Sequence, residues 1–188
     1  MAAAPRRWGW HRLSTDWAER LVATSGVGRG DLVLDVGAGD GALTEHLVAT
    51  GARVIAVEAH PARAQALRDR FSDRVVVVQA DAADLRLPRR PFHVVANPPF
   101  AITSDLLRRL LHPGSRLERA HLVLQDAAAR RWASGRVPGA GRWERTHHAT
   151  LGPPVPRRAF VPPPKVSARV LVLERRRAPP RRRSPPRR

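Results

Sequence analysis

The sequence predicts a doubly wound α/β fold, with a mostly parallel sheet covered by helices on both faces. Two observations support it: short apolar runs alternate with helical patterns, and a glycine-rich turn follows the first run. A chain of 188 residues has room for one domain with a real core. We expect three parts: a basic helical N-terminal segment (1–30), the α/β domain (31–174) and a disordered tail rich in arginine and proline (175–188).

Short apolar runs suit buried parallel strands, and helical patterns follow them. The predicted strands cover residues 32–36, 54–57, 75–78, 92–96 and 121–124, and the predicted helices cover 41–50, 61–71, 103–112 and 126–134. An amphipathic helix over 15–23 precedes the first strand, and a final strand is predicted over 166–173. We expect Asp40 to cap the helix that begins at Gly41, and Pro61 fits the first turn of the next helix.

Charge is the strongest compositional signal and indicates a polyanionic partner. The net charge is +18, of which residues 175–188 contribute eight arginines and no acid, so 18 − 8 leaves +10 on residues 1–174. Apolar runs stay shorter than the roughly 18 residues of a membrane span, and the start lacks the apolar core of a signal peptide, so we expect a cytoplasmic protein. Because cysteine is absent and the eight histidines show no zinc-ligand spacing, we expect no metal site.

The glycine-rich turn spans Asp35 to Gly41, and its missing side chains let the backbone approach a ligand closely. Its glycines lack the G-x-G-x-x-G spacing of a dinucleotide site, and no Gly-Lys-Ser/Thr follows to make a P-loop. A simple tight turn is the alternative interpretation. The residues at the ends of the next two strands favour a ligand site.

Acidic side chains follow the second and third predicted strands, at the same edge of the sheet as the glycine turn. Glu58 lies about 20 residues after the turn, where an acid in this fold accepts hydrogen bonds from ribose hydroxyls. Asp81, followed by Ala82, is placed to accept from the amine of an adenine. The alternatives are a solvated carboxylate at Glu58 and a helix cap at Asp81. Glycine, Glu and Asp in this order fit S-adenosylmethionine better than NAD.

The segment Asn97-Pro98-Pro99-Phe100 follows the fourth strand and reaches the same crevice. An adenine amine is a poor nucleophile because its lone pair is delocalised into the ring, so a catalyst must accept its N–H hydrogens. The Asn97 side-chain oxygen and the Pro98 backbone carbonyl can do so, while the prolines keep the turn rigid. Phe100 offers a stacking face, worth about 1–3 kcal/mol per base. The pattern predicts methyl transfer to a nucleobase nitrogen, with a plain strand-to-loop junction as the alternative.

At these residues the chain resembles the ribosomal RNA adenine N6-methyltransferases, the family of the KsgA-like enzymes and the Erm macrolide-resistance enzymes, and within it the Erm branch. The resemblance is carried by residues 33–44, 57–58, 79–81, 97–100 and 159–166. The last segment, Phe-x-Pro-Pro-Pro-x-Val, distinguishes the ribosomal family from DNA adenine methyltransferases. The resemblance implies the seven-stranded, Rossmann-like fold of the class I S-adenosylmethionine-dependent methyltransferases.

Two departures from the family pattern are visible. Where the family opens with Gln-Asn-Phe-Leu, this chain has Trp10 to Leu13, so Leu13 carries over as a cofactor contact and His11 replaces the Asn through its ring or its backbone. The family continues after its last strand into a small helical domain that helps to grip RNA. We expect this chain to lack that domain and to use the arginine tail for phosphate contacts instead.

The residues and the resemblance together predict an enzyme that uses S-adenosylmethionine to methylate N6 of an unpaired adenine in 23S ribosomal RNA, conferring macrolide- and lincosamide-type resistance. The predicted catalytic residues are Asn97, Pro98 and Phe100, and the predicted cofactor-binding residues are His11, Leu13, Asp35, Gly37, Gly39, Glu58, Asp81, Ala82 and Asn97. We expect a monomer without metal or membrane. The alternatives are a small-subunit ribosomal RNA or DNA adenine N6-methyltransferase, a small-molecule methyltransferase and a non-catalytic RNA-binding relative.

Overall fold

A seven-stranded sheet forms the centre of the computed structural model, which describes residues 11–82 and 84–176. The strands are β1 (Arg12–Leu13), β2 (Leu32–Val36), β3 (Arg53–Glu58), β4 (Val75–Gln79), β5 (Phe92–Ala96), β6 (Leu117–Gln125), β7 (His147–Val155), β8 (Phe160–Val161) and β9 (Ala168–Arg175). The helices are α1 (Thr15–Ser25), α2 (Ala42–Ala49), α3 (Pro61–Phe71), α4 (Thr103–Leu110), α5 (Asp126–Ala133) and α6 (Ala140–Trp143).

The strand order places a ligand crevice in the middle of the sheet. The order is β4-β3-β2-β5-β6-β9-β7, while β1 and β8 form a separate two-stranded pair. Strands β4 to β6 run parallel, and β9 runs antiparallel to both of its neighbours. Because the order reverses at β2, the carboxyl ends of β2 and β5 border the crevice in which doubly wound folds bind ligands. This architecture confirms the predicted fold class.

Both faces of the sheet carry a hydrophobic core, which explains why the central strands are apolar throughout. All five residues of β2 are buried, and its alternate side chains belong to the two cores on opposite faces. Helix α4 shows the corresponding helical pattern, because Leu106, Leu107 and Leu110 are fully buried against one face. Within the described part of the chain, no helix is long and apolar enough to cross a membrane.

The predicted helices agree with the structure, with one error at the start of α2. Helix α3 matches its prediction at both ends, with Pro61 at its first position, and the other predicted helices end within two residues of those observed. The expected cap at Asp40 is wrong: α2 begins at Ala42 after Gly41, without a side-chain cap. The Asp40 carboxylate pairs with Arg12 instead, so a long-range ion pair replaces the local hydrogen bond.

Strand β7 was not predicted, because its sequence contains two prolines. It lies at the edge of the sheet, where a strand tolerates residues that cannot donate to the ladder. The pairing with β9 shifts register between Leu151 and Pro154, so the irregularity falls at the prolines. The two-residue strands β1 and β8 were also missed, because their pairing joins segments almost 150 residues apart along the chain.

The folded body extends two residues past the expected boundary at 174. Arg175 ends β9, and its side chain donates to the backbone oxygens of Leu117 and Ser115 at 2.8 and 2.6 Å. Arg176 donates to the backbone oxygen of Glu144 at 2.7 Å. These two arginines therefore hold the end of the sheet together, whereas residues 1–10 of the predicted N-terminal segment and residues 177–188 of the predicted tail lie outside the described residues.

Candidate active site

Four adjacent parallel strands bring the sequence-predicted residues to one crevice. Asp81 lies two residues beyond β4, Glu58 is the last residue of β3, Gly37 follows β2 directly, and Asn97 follows β5 directly. Because these strands are neighbours and parallel, their carboxyl ends meet at one edge of the sheet. The structure thus groups the predicted residues as the topology requires.

The glycine turn packs directly against the Asn-Pro-Pro segment. Gly37 has φ +79°, and a Cβ added to it would lie 2.9 Å from Cδ of Pro99 and 3.4 Å from Cα of Pro98. The backbone N–H groups of Gly37 and Ala38 both donate to the carbonyl of Val57, at 2.8 and 3.0 Å. Position 37 therefore requires glycine for its backbone angle and for this close approach.

Asp35 is a buried carboxyl group with one unsatisfied oxygen. The side chain is 1% exposed, and its Oδ2 accepts a hydrogen bond from the Thr44 hydroxyl at 2.7 Å. Among the described residues no donor reaches Oδ1, although this atom is buried beside the crevice. Burial raises the pKa of Asp35 to about 7, with a smaller contribution from the nearby Glu58 carboxylate. A cationic ligand group would satisfy Oδ1 and favour the ionised carboxylate.

Glu58 is 4% exposed and fastens the backbone around the crevice. Its Oε2 accepts a hydrogen bond from the N–H of Gly39 at 2.8 Å, and its Oε1 accepts one from the N–H of His60 at 2.8 Å. Because each carboxylate oxygen has two acceptor positions, both can accept a further hydrogen bond from a ligand hydroxyl. At the β4 end of the crevice, Asp81 is half-buried and Ala82 is 4% exposed.

The Asn97 carboxamide has a defined orientation. Its Nδ2 donates to the backbone oxygen of His11 at 2.7 Å, and it is half-buried. Since the amino end of the amide is used in this contact, the Oδ1 atom remains available to accept a hydrogen bond from a ligand. Pro98 is buried beside it, and the half-buried Phe100 opens the short turn Phe100–Ile102, with its ring centroid 6.2 Å from that of His11.

Residues 11–14, which we call the N-terminal strap, are joined to the proline-rich segment after β7. The strap pairs with β8, so that Leu13 lies opposite Phe160, and the N–H of Ser14 donates to the carbonyl of Ala159 at 2.7 Å. Nδ1 of His11 lies 2.8 Å from the carbonyl oxygen of Pro162. The ring of His11 therefore holds the strap on the proline segment, while its backbone oxygen holds Asn97.

The crevice is narrow in this conformation. The space bordered by Leu13, Asp35 and Asn97 has a volume of about 20 Å³, far below the roughly 300 Å³ of small-ligand pockets. Arg12 and Asp40, whose ion-paired side chains are 37% and 42% exposed, also line this space. The open space at this part of the crevice is therefore smaller than a ligand, and the ion pair lies at its border.

Three contacts at the crevice escaped sequence reasoning. Thr44 satisfies one oxygen of Asp35, Arg12 pairs with Asp40, and the Pro162 carbonyl accepts from the strap. Arg12 stands where the family has Phe, and Asp40 lies between two glycines. These two charges of opposite sign, which no other prediction explained, were the signal from which their ion pair could have been predicted. Thr44 gave no such signal, because a threonine in an apolar helix face is common.

Comparison with known proteins shows the family of this chain. The mycinamicin-resistance protein MyrB of Micromonospora griseorubida is 42% identical over 153 residues, which cover 78% of this chain and 48% of MyrB. The ribosomal RNA small subunit methyltransferase A of Anaeromyxobacter dehalogenans (strain 2CP-C) is 35% identical, over 89% of this chain and 66% of the relative. The chain thus spans about half to two thirds of the length of these curated relatives.

The structural comparison agrees with the sequence comparison. The crystal structure of the 23S rRNA methyltransferase ErmE matches with a TM-score of 0.81 and 28% identity, over 91% of this chain and 71% of ErmE. A sequence profile described as ribosomal RNA adenine dimethylase matches residues 13–184, which include the glycine turn, the Asn-Pro-Pro segment and the proline-rich segment. The chain therefore belongs to the ribosomal RNA adenine dimethylase family.

Proposed function

We propose that this protein transfers a methyl group from S-adenosylmethionine to N6 of an adenine in 23S ribosomal RNA, and thereby confers macrolide- and lincosamide-type resistance. The observation that carries the proposal is the orientation of the Asn97 carboxamide. Its amino group is bound to the His11 backbone, and its oxygen is left at the crevice that Asn97 shares with Asp35 and Gly37. An oriented acceptor beside a buried carboxylate suits a substrate amine next to a cationic methyl donor.

The residues of the crevice fit S-adenosylmethionine. The unsatisfied Oδ1 of Asp35 suits its ammonium group, the two oxygens of Glu58 suit its ribose hydroxyls, and Asp81 with Ala82 suits its adenine. The missing side chains of the glycine turn would let the backbone lie against the ligand. When bound, S-adenosylmethionine supplies an electrophilic methyl group on a sulfonium centre.

The Asn-Pro-Pro-Phe segment supplies the groups that prepare the target base. Asn97 Oδ1 and the Pro98 carbonyl accept the two N–H hydrogens of the adenine amine, which draws electron density onto the nitrogen. Pro98 and Pro99 contribute no N–H groups and keep the acceptors fixed, so less entropy is lost when the base is positioned. Phe100 gives the base a stacking face, worth about 1–3 kcal/mol. Alignment of the amine with the methyl group supplies most of the rate.

Several observations favour ribosomal RNA, and the 23S molecule in particular. The net charge of +18 suits a polyanion, and residues 13–184 match the family profile. The similarity to MyrB, which is described as a mycinamicin-resistance protein, and the structural match to the 23S enzyme ErmE support the 23S substrate and the resistance outcome. We further propose that the protein is a monomer and that it acts in the cytoplasm, where ribosomal RNA is made and used.

Methylation of small-subunit ribosomal RNA is the second candidate. It is favoured by the 35% identity to a small subunit methyltransferase A over 89% of this chain. A DNA substrate and a non-catalytic RNA-binding role have less support. A DNA substrate is disfavoured because the Phe-x-Pro-Pro-Pro-x-Val segment distinguishes the ribosomal family from DNA adenine methyltransferases. A purely RNA-binding role gives no function to the unsatisfied Asp35 oxygen.

Transfer of a labelled methyl group separates these candidates. The full chain is incubated with labelled S-adenosylmethionine and, in turn, with 23S RNA, 16S RNA and double-stranded DNA, and the products are digested and analysed as nucleosides. We expect labelled N6-methyladenosine, or its dimethylated form, from 23S RNA alone, with Asn97→Ala as the inactive control. Label in 16S RNA would select the second candidate. Methylated adenosine in none of the three would refute the proposed chemistry.

A further inference from the structure

We propose that a basic cleft beside helix α4 binds the phosphate backbone of a double-stranded arm that adjoins the target adenine; this inference rests on the proposed function. The cleft, which we call the α4 cleft, has the loop before β5 as one wall and α4 with the loop before β6 as the other, and its volume is about 970 Å³. Its charged lining consists of Arg89, Arg108, Arg109, Arg116, Asp105 and His112. Among the described residues that line the cleft there are therefore four arginines and one acid.

Two of the four arginines, Arg89 and Arg116, have no hydrogen-bond or ion-pair partner among the described residues. Asp105 pairs with Arg108 at 3.2 Å, and Arg109 donates to the backbone oxygen of Leu85 at 2.9 Å. Arg89 and Arg116 are exposed, and their side chains form no hydrogen bond or ion pair with residues 11–82 or 84–176. Because arginine presents a planar fork that matches phosphate oxygens, free guanidinium groups on both walls suit a phosphate backbone.

The fold accounts for the arrangement of these charges. Helix α4 buries Leu106, Leu107 and Leu110 against the sheet. Asp105 and Arg108 are exposed on its other side. The carboxyl end of a helix carries a partial charge of about −0.5, which the two arginines in the last turn of α4 more than offset. The cleft thus remains positive although it lies at a helix end that ordinarily disfavours anions.

The high net charge of the chain alone does not explain the α4 cleft. A second cleft, of about 500 Å³, lies on the other face of the sheet and contains three arginines and three acids. There Arg119 pairs with Glu174 at 2.8 Å and Arg175 with Glu118 at 3.2 Å, so its charges are neutralised within the protein. The α4 cleft therefore keeps an excess of unpaired positive charge that this second cleft lacks.

The position of the cleft relative to Asn97 identifies the part of the RNA that it contacts. Arg89 precedes β5 and Arg116 precedes β6, so both lie at the amino ends of strands whose carboxyl ends border the crevice. Along β5 the distance from Phe92 to Asn97 is roughly 16 Å, at about 3.3 Å per residue. A double-stranded RNA arm is A-form, and a stem of several base pairs spans this length. A stem next to the target adenine therefore reaches the cleft.

The test compares two double variants of the full chain with equal charge change. Arg89→Gln with Arg116→Gln removes the unpaired arginines of the cleft, and Arg29→Gln with Arg53→Gln removes two exposed arginines elsewhere at the same edge of the sheet. Affinity is measured against salt concentration for RNA hairpins that carry an unpaired adenine next to a stem of about three or about eight base pairs. Methyl transfer by the wild type to the same hairpins is measured in parallel.

We expect the wild type to bind the long stem more tightly and with a steeper salt dependence than the short stem. The cleft variant should lose about two units of the log–log salt slope on the long stem and bind both stems equally, whereas the control variant keeps its preference for the long stem. Equal salt slopes and equal stem preferences in the two variants would overturn the proposal. It would also be overturned if the cleft variant lost as much affinity for polyglutamate as for the long-stem hairpin. Absence of methyl transfer by the wild type would count against the proposed function instead.

Discussion

Asn97 and His11, 86 residues apart in the chain, are joined by a hydrogen bond of 2.7 Å from the Asn97 side chain to the His11 backbone oxygen. This contact fixes which end of the carboxamide faces the crevice, so the acceptor oxygen is presented without a search among rotamers. Asn97→Ala should reduce methyl transfer by at least about 100-fold. It removes the oxygen that accepts a hydrogen bond from the adenine amine, on which positive charge develops during the transfer. The affinity for S-adenosylmethionine, measured by calorimetry, should change little, and a variant with normal turnover would contradict the assignment.

His11→Ala provides a matched control for the same contact. It removes the ring but leaves the backbone oxygen that accepts from Asn97, so methyl transfer should fall by much less than in Asn97→Ala. The lost contact with the Pro162 carbonyl should lower the free energy of unfolding by about 1 kcal/mol, measured by urea denaturation. A loss of activity equal to that of Asn97→Ala would place the function of His11 in its ring.

Gly37→Ala should destabilise the protein and abolish binding of S-adenosylmethionine. The added Cβ would lie 2.9 Å from Pro99 and would be held at φ +79°. The control is Gly30→Ala, because Gly30 has φ +92° but has open space where its Cβ would lie. Both variants should lose about 1 kcal/mol through backbone strain, measured by thermal unfolding. Gly37→Ala should lose further stability through the clash with Pro99, and only this variant should lose cofactor binding. Equal cofactor affinities would refute the role of the close approach.

Asp35 should make both stability and cofactor binding depend on pH. The carboxyl group has a pKa of about 7 in the folded protein and 3.8 in the unfolded chain, so between these values the folded state holds a proton that the unfolded state has released. Its contribution to the free energy of unfolding is therefore full below about pH 4 and is lost as the pH rises through about 7, with an upper limit of about 4 kcal/mol. Denaturation in urea at pH 5 and pH 8 measures the larger part of this difference.

Asp35→Asn should flatten that pH dependence, while Asp73→Asn, at an exposed position, should leave it unchanged. Affinity of the wild type for S-adenosylmethionine should rise as the pH increases to about 7, because an ionised Asp35 is needed to pair with the ammonium group. The asparagine variant should bind weakly at every pH. A pH-independent affinity of the wild type would exclude Asp35 from the contact.

The ion pair between Arg12 and Asp40 should limit access to the crevice more than it stabilises the fold. Its side chains are 37% and 42% exposed, so a double-mutant cycle with alanine should give a coupling free energy below about 1 kcal/mol. Arg12→Ala should increase the association rate of S-adenosylmethionine, measured by stopped-flow fluorescence. The variant lacks a long side chain that borders the crevice. An unchanged association rate would show that another motion opens the crevice.

Much of the site was predictable from the sequence because it depends on topology. Once β2 to β5 are recognised as parallel strands, the rule for switch points brings Gly37, Glu58, Asp81 and Asn97 to one edge. Patterns of apolar residues carry this information locally. Contacts between side chains that are distant in sequence do not follow from such patterns, so the partners of Arg12 and His11 appeared only in the structure.

The pairing of β1 with β8 has a consequence for the synthesis of the protein. Residues 12 and 13 leave the ribosome early, but their partners at 160 and 161 follow almost 150 residues later. Until then the His11 backbone lacks the support of Pro162, and the Asn97 carboxamide lacks a firmly held partner. A nascent chain therefore completes the parallel strands β2 to β6 before residues 160–162 are available to order the crevice.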